Sequence, residues 1–234
     1  MLFKKVINKG MSEDKERKEK MPEDNKTTPD DNMGLNVSGH ILIRDKETGQ
    51  ELVNKRNAIH YGNMAYIVAQ ALTNNSAAFV HYMAFGNGAT SVATAGRVVY
   101  KTPRVTEGYE SGANLYSRTY WKPISSDASN TETDTNYIQV VPGVSYTDLK
   151  MVCTLGYSEP SDADTFDSTI NNEGNYVFDE LALFSYPTNS ALTDYPSNDR
   201  INTSTMLTHV IFHPVQKSKN RVIEVIYTIR IQLS

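Results

Sequence analysis

The segment FGNGAT, residues 85–90, contains two glycines at a spacing that is found in nucleotide-binding turns. A dinucleotide-binding turn follows a strand with Gly-x-Gly, adds a third glycine and opens a helix beside the phosphates. Here no third glycine follows Gly88 at that spacing, and Ser91-Val92-Ala93-Thr94 leads towards another strand. We therefore predict that Gly86 and Gly88 make a tight turn or a β-bulge.

An acidic stretch at residues 161–174 places three carboxylates at the spacing of a calcium-binding loop. Asp162, Asp164 and Glu173 occupy the first, third and twelfth positions of that template. Phe166 stands at the fifth position, and Asp167 replaces the glycine that makes the sharp turn of such a loop. We therefore interpret this stretch as a solvated acidic loop.

The histidines and the cysteine do not form a set of metal ligands. The five histidines are scattered, and the two that share strand parity, His209 and His213, have no Cys, Asp or Glu at ligand spacing. A zinc site normally needs three or four such ligands. Cys153, the only cysteine, alternates with Met151 and Leu155, so we expect a buried core thiol. The sequence predicts no metal and no other cofactor.

The side chains needed for catalysis are also not arranged together in the sequence. No Gly-x-Ser-x-Gly segment is present, and Cys153 has no recognisable base partner. The adjacent carboxylates Asp179 and Glu180 fall on a predicted strand, where neighbouring side chains point to opposite faces. Such a pair is unsuited to acting on one substrate. We therefore predict that the protein is not an enzyme.

Three aromatic residues could form a contact surface. Tyr116 and Tyr120 share one face of a predicted strand, and Trp121 lies on the other. Aromatic rings of this kind either stack on a sugar or pack in a core or a subunit interface. We retain Tyr116, Tyr120 and Trp121 as candidate ligand or subunit contacts.

Alternation of apolar and polar residues predicts that these side chains are carried by a mainly all-β fold. The clearest strand is residues 220–233, where Ile223, Tyr227 and Ile229 lie on one face and Thr228 lies on the other. Residues 40–57 predict a hairpin whose turn needs a glycine at Gly49. Further strands are predicted at 80–85, 96–101, 114–124, 136–141, 148–157, 176–186 and 206–215.

One segment has helical periodicity, from about Gly62 to Thr73. Its apolar residues recur at spacings of three and four, which places them in one stripe: Met64, Ile67, Val68, Ala71 and Leu72. Together these signals predict a β-sandwich of about ten strands with one packed helix and long polar loops. The loops are expected at 125–136, 158–175 and 187–204.

Charge and composition exclude several classes of partner. The net charge is −4 and the isoelectric point is near 5.7, whereas general nucleic-acid binding needs a basic face. No apolar run approaches the roughly 18 residues of a membrane span, and no signal-peptide pattern opens the chain. A single cysteine fits synthesis in a reducing cytosol. We expect no nucleic acid and no membrane partner.

Residues 1–37 have a different composition from the rest of the chain and predict a flexible charged arm before a body at 38–234. Basic and acidic residues dominate the segment, which is too polar to bury a core of its own. Its first residues are more apolar, and two interpretations remain open: a solvated terminus, or a peptide that orders on a neighbouring subunit. The candidate docking residues are Leu2, Phe3, Val6 and Ile7.

The order of these segments over residues 39–234 resembles a group of tailed-bacteriophage virion proteins. The pattern is a hairpin and helix, a Gly-x-Gly-x-Thr turn, a Glu-x-x-Leu-Phe strand and a closing hairpin with Phe-x-Pro-Val-x-Lys. The segment ELALF at 180–184 departs from the usual Glu-Ala-Gly-Leu-Phe because it lacks the glycine. The matching positions are Gly86, Gly88, Thr90, Glu180, Leu183, Phe184, Phe212, Pro214, Val215 and Lys217.

The resemblance implies a structural component of the virion, made in the host cytoplasm and associated with the tail, neck or baseplate. Its expected partners are other virion proteins, with copies of the chain forming a homo-oligomer or ring. Two alternatives remain open: an adhesin that binds a host-surface receptor or glycan, and a capsid decoration protein. A fold of this class can host any of these roles, because function is located in sites rather than in the scaffold.

Overall fold

The computed structural model describes residues 34–124, 136–157, 159–160, 176–188 and 201–233. The candidate docking residues Leu2, Phe3, Val6 and Ile7, the acidic stretch 161–174 and most of the three predicted long loops lie outside these described residues.

The described part of the chain contains twelve strands and one fully described helix. The helix, α1, spans Tyr61–Leu72. The strands are β1 (Leu35–Asp45), β2 (Glu51–Arg56), β3 (Ala58–Ile59), β4 (Val80–Gly86), β5 (Thr90–Val92), β6 (Val98–Tyr100), β7 (Arg118–Pro123), β8 (Asn136–Pro142), β9 (Tyr146–Leu155), β10 (Tyr176–Ser185), β11 (Thr208–Lys217) and β12 (Ile223–Leu233).

The strands form two five-stranded sheets and one short hairpin, and all their pairings are antiparallel. The first sheet has the order β2-β1-β12-β9-β8, and the second has the order β3-β11-β10-β4-β7. The separate hairpin pairs β5 with β6. The prediction of a mainly β sandwich with one helix is therefore confirmed. The strand number exceeds the predicted ten by the two very short strands β3 and β5, whereas β6 lies within the strand predicted at 96–101.

The main core lies between the inner faces of the two sheets. Tyr227, Met151 and Ile41 face inward side by side from three neighbouring strands of the first sheet, and all are fully buried. Phe178 packs edge-on against both Phe85 and Phe212, with ring centroids 5.4 and 5.6 Å apart. Because alternate side chains of a strand share a face, these strands present one continuous apolar surface to the core.

Cys153 is buried in this core, as its alternation with Met151 and Leu155 predicts. Removal from water raises the pKa of its thiol to about 12, because burial disfavours the charged thiolate. The thiol therefore stays protonated at neutral pH and behaves as a small apolar side chain.

The second sheet is also covered on its outer face, which the sequence did not predict. Tyr82 and Trp121 meet there edge-on, 4.8 Å apart. They belong to an apolar cluster that also contains four residues from outside the named strands: Ala113, Leu115, Ile201 and Met206. Trp121 is consequently buried, at 6% exposure.

The helix forms one residue earlier than predicted, and a polar side chain anchors it. Asn63 is its only buried residue. The Asn63 amide donates to the carbonyls of Met206 (2.8 Å) and Glu110 (3.0 Å) and accepts from the Glu110 N–H (2.8 Å). The predicted apolar stripe is only partly used, since Met64 is half-buried and Leu72 is 84% exposed.

Several strand boundaries differ by one to four residues from the sequence predictions, and two of these differences have a clear structural cause. The body begins before residue 38, because Leu35 and Val37 already pair with Leu233 and Ile231 at the C-terminal end of β12. The strand predicted at 114–124 begins only at Arg118, because the backbone N–H groups of Tyr116 and Ser117 turn to a carboxylate instead of a neighbouring strand. The predicted turn at Gly49 is confirmed, with a φ of +73°.

Candidate functional site

Asp179 and Glu180 on β10 both bind the turn that contains the Gly-x-Gly segment. The pairing of β10 with β11 shifts register between Phe178 and Glu180, which is the signature of a β-bulge. Both carboxylates are almost completely buried, at 3% and 0% exposure. The sequence prediction that they serve opposite faces is therefore wrong, because the bulge breaks the simple alternation of the strand.

Asp179 closes the end of this turn. Its carboxylate accepts the N–H groups of Ala89 (3.1 Å) and Thr90 (2.8 Å), and it also accepts the Thr90 hydroxyl. Burial raises the pKa of Asp179 above its usual value, and the hydrogen bonds from Thr90 and Ala89 only partly offset that effect. The turn is thus attached to β10 by three hydrogen bonds to one side chain.

Glu180 accepts hydrogen bonds on both carboxylate oxygens. Oε1 accepts the N–H groups of Ser117 (2.8 Å) and Gly88 (3.2 Å), and Oε2 accepts the Tyr116 N–H (2.9 Å). Burial acts to raise the pKa of this carboxyl group, but hydrogen bonds from His209, Ser117 and Tyr116 outweigh it and lower the pKa. The carboxylate is therefore ionised, and both of its oxygens accept hydrogen bonds.

His209 on β11 supplies the fourth donor to Glu180. Its Nδ1 accepts the backbone N–H of Arg104 at 2.8 Å, so the ring proton sits on Nε2 and is donated to Glu180 Oε2 at 3.0 Å. A histidine whose two nitrogens are both engaged has no free lone pair for a substrate proton. The Glu180–His209 pair is consequently a structural clamp between β10, β11 and the segment at Arg104.

Gly86 and Gly88 are required by the closeness of this packing. A Cβ on Gly86 would lie 2.5 Å from Glu180 Oε1, and a Cβ on Gly88 would lie 2.6 Å from the Ser117 Cβ. Real Cβ atoms do not approach other atoms so closely, so only glycine fits at both places. Of the two predicted roles, the β-bulge is confirmed at Gly86, because the pairing of β4 with β7 shifts register between Phe85 and Gly86. The segment leads into β5 rather than into a helix.

A basic and aromatic surface lies beside the clamp. The Tyr116 ring has the Lys101 ammonium 4.4 Å and the Arg104 guanidinium 4.5 Å from its centroid. Both are cation–π distances. The Tyr116 hydroxyl donates to the Thr102 carbonyl at 2.8 Å, which holds the ring in place.

A small pocket of about 140 Å³ opens next to this surface. Its basic lining residues are Lys55, Arg56 and Lys101, and Tyr100 and His209 also line it. Within the described ranges, neither these three cations nor Arg104 has a carboxylate at ion-pair distance. Such an arrangement can bind a small anionic group, for example a carboxylate of another protein.

The three aromatic residues singled out in the sequence do not form one surface. Tyr116 precedes β7 and lies on the basic surface. Tyr120 packs against the main core near Phe85, with ring centroids 6.1 Å apart. Trp121 is buried on the opposite face of the sheet. The residues that the sequence analysis missed, Lys101 and Arg104, have no periodic or motif signal that could have identified them.

A second surface is apolar and lies where the first sheet extends past the buried core. We call it the apolar ledge, and it consists of inward-facing residues from β1, β8, β9 and β12. In register, Leu35 pairs with Leu233, Val37 with Ile231, and Ile229 with Leu149, which pairs in turn with Val140. The apolar ledge is Leu35, Val37, Val140, Leu149, Ile231 and Leu233.

Exposure along the sheet increases steadily towards the apolar ledge. Tyr227 is fully buried and Ile229 is 1% exposed, whereas Leu233, further along the same face, is 56% exposed. Leu35 beside it is 49% exposed, and Val140 is 65% exposed. The described residues thus leave an apolar strip of the inner face open to solvent.

Two further findings concern only the part of the chain that the structure describes. Within those residues, no helix is both long and apolar enough to cross a membrane. Among the same residues, no group of three or more His, Cys, Asp or Glu side chains is placed to hold a metal ion.

Comparison of the chain with protein-family models, with curated proteins and with solved structures found no match.

Proposed function

We propose that this protein is a non-catalytic structural component of a tailed-bacteriophage virion, associated with the tail, neck or baseplate, and that it acts by protein–protein assembly. The resemblance of its segment order to that group of virion proteins supplies the location. The apolar ledge is the observation that carries the assembly role.

An exposed strip of this kind favours a protein partner. Its three most exposed members, Leu35, Val140 and Leu233, come from three different strands and lie on one face. Exposed apolar surface of this kind, contributed by neighbouring strands, is characteristic of an interaction site. Burying the apolar ledge in an assembly would stabilise that assembly by about 25 cal/mol for each Å² of apolar surface removed from water.

The residues that carry the resemblance pack in the core or hold segments of the fold together. This supports a role of the motif in the architecture of the protein. Gly86, Gly88 and Thr90 lie in the segment that packs against or is bonded to Glu180 and Asp179. Four others are core residues: Leu183, Phe184, Phe212 and Val215. The polar groups that resemble catalytic ones are thereby engaged in holding the fold.

A charge on the apolar ledge tests the assembly role directly. Leu233→Asp should prevent incorporation of the chain into particles, because a charge would have to be buried in the interface. Gln232→Asp is the matched control, since it introduces the same charge at the adjacent residue on the opposite face. Incorporation is measured by mass spectrometry of purified particles, with circular dichroism checking that both variants fold. Normal incorporation of Leu233→Asp would contradict the proposal.

Electron microscopy of intact particles tests the location. Density for the chain should be found at the tail, neck or baseplate. Density on the capsid surface would instead identify a decoration protein, and the location part of the proposal would be wrong.

The basic pocket favours one second candidate function, binding of an acidic group on the host surface. Lys55, Arg56 and Lys101 are the residues that would contact it. In this case, purified protein should bind host cells in a salt-sensitive manner, and Arg56→Gln should weaken that binding. Equal binding by Arg56→Gln and the wild type would count against this second candidate.

A further inference from the structure

We propose that the apolar ledge of one subunit binds the N-terminal tip of a neighbouring copy, through Leu2, Phe3, Val6 and Ile7. This inference rests on the proposed assembly function and names the partner of its interaction surface. It joins an uncovered surface of the described body to the one apolar part of the segment that precedes it.

The apolar ledge offers a site of suitable size and chemistry. It provides three residues at about half exposure or more, Leu35, Val140 and Leu233, beside half-buried Val37, Leu149 and Ile231. The tip brings four apolar side chains within its first seven residues. When a short apolar peptide binds an apolar sheet surface, both sets of side chains are removed from water.

The rest of the N-terminal segment is unsuited to covering this surface. Between Met11 and Met33 the apolar side chains are almost exclusively methionines, and the segment contains charged runs such as SEDKERKEK at residues 12–20. Charged side chains are costly to bury without partners. Within the N-terminal segment, the tip is therefore the part whose chemistry matches the apolar ledge.

The length of the connecting segment is sufficient for the tip to reach a neighbouring subunit. The described body begins at Gly34, directly beside Leu35 on the apolar ledge, so a peptide returning to its own ledge would need only a short turn. Residues 11–33 can instead span about 75 Å when extended. A folded body of this size has a radius of gyration of about 16 Å. Such a spacer is long enough to pass around one subunit and reach the next.

Crosslinking between two labelled preparations of the full chain tests the proposal. Tagged F3C protein is mixed with untagged L233C protein under assembly conditions and treated with a short bis-maleimide crosslinker. Cys153 is buried and its pKa is raised, so the native thiol does not compete. The matched control is Q232C, which places the second thiol one residue away on the opposite face.

The expected result is an inter-chain crosslink between F3C and L233C that exceeds the F3C–Q232C yield by about tenfold or more, because docking raises the effective concentration of the two thiols. Equal yields for L233C and Q232C would overturn the proposal. In a second arm, the double variant F3C/L233C is diluted into excess wild-type protein. A crosslink within one chain there would show that the tip binds its own ledge, and would also overturn it.

Parallel incorporation assays separate this inference from the proposed function. F3D and L233D should both reduce incorporation if both proposals hold. If L233D reduces incorporation and F3D does not, the assembly role stands and the tip is not the occupant of the apolar ledge. If neither variant reduces incorporation, both proposals fail.

Discussion

Four hydrogen-bond donors converge on the Glu180 carboxylate, three from the backbone and one from His209. A buried carboxylate without such partners would be strongly destabilising, whereas a fully bonded one cross-links the segments that supply the donors. Here these segments are the Gly-x-Gly turn, the approach to β7 and strand β11. One residue therefore joins three distant parts of the chain.

The glycine beside this carboxylate gives the first prediction. Gly86→Ala should lower the free energy of unfolding by about 1–3 kcal/mol, because the added methyl group would overlap Glu180 and Ser117. Gly112→Ala is the matched control, since nothing lies within 4 Å of a Cβ placed there. Urea denaturation of both variants measures the difference. Equal stabilities would mean that the turn shifts freely away from Glu180.

Asp45 gives a prediction about pH. It accepts the N–H groups of Thr48 (2.9 Å) and Glu47 (3.0 Å) at the first hairpin, and the Arg221 guanidinium at 2.6 Å. The backbone hydrogen bond from Thr48 and the bond from Arg221 lower the pKa of Asp45 to about 2. A lowered carboxyl pKa stabilises the fold above the unfolded-state pKa of about 3.9 and loses that effect as the pH falls.

We therefore expect the wild-type protein to lose this part of its stability as the pH is lowered from about 4 to about 2. Asp45→Asn should lack that component, so its unfolding free energy should fall less steeply over the same interval. Urea midpoints measured at several pH values compare the two proteins, with the exposed Glu107→Gln as the control. Parallel pH profiles for Asp45→Asn and the wild type would contradict the assignment.

At the scale of elements, β12 is the strand whose pattern translates most directly into structure. Its inward residues Ile223, Val225, Tyr227 and Ile229 are buried, as the alternation predicts. The alternation also places Ile231 and Leu233 inward, but the covering sheet ends before them and they are half-buried and exposed. The sequence of a strand thus determines which side chains share a face, whereas the depth at which they are buried depends on the sheet that packs against them.

The two faces of β12 give the third prediction. Ile229→Ala should cost about 2–5 kcal/mol, through lost transfer free energy and a cavity in the core. Thr228→Ala, at the half-buried neighbouring position on the outer face, should cost much less. Chemical denaturation measures both. Equal costs would show that the outer face of the first sheet is also packed against a partner.

The helix and β7 illustrate how tertiary contacts override local signals. The helix is held by Asn63 at its first turn, and Leu72 at its last turn is exposed. β7 starts at Arg118 because Glu180 takes the backbone N–H groups of Tyr116 and Ser117. In both cases a buried polar side chain determines the structure where apolar periodicity predicted another outcome.

At the scale of the whole molecule, the composition of the N-terminal segment gives the fourth prediction. Protease should remove residues 1–33 readily from the free protein and leave the body folded, but should fail on the assembled form. Deleting these residues should leave the melting temperature nearly unchanged and reduce incorporation into particles. Differential scanning calorimetry and particle composition measure the two effects.

Two results would contradict this prediction in different ways. Normal assembly of the deleted protein would identify the segment as a solvated terminus. Unfolding of the body on deletion would show that residues 1–33 contribute to the core.

The sequence alone determined the fold class and the faces of the regular strands, including the inward positions of Cys153 and Ile229. These features follow from the pleat of a strand, in which neighbouring side chains alternate, so a short stretch of sequence suffices to predict them. The turn at Gly49 was also predictable from a short stretch of sequence, because the positive φ that it requires is a local property of the backbone.

Only the tertiary structure decided how the chemistry-bearing residues are used. Glu180 bonds to Gly88 across 92 positions of sequence, and Asp179 shares the turn only because a bulge reorients β10. Exposure of the apolar ledge depends on where the second sheet ends. The sequence patterns of β1 and β12 cannot predict that position. Contacts between distant segments depend on how whole elements pack, and this is a property of the folded chain rather than of any local stretch of it.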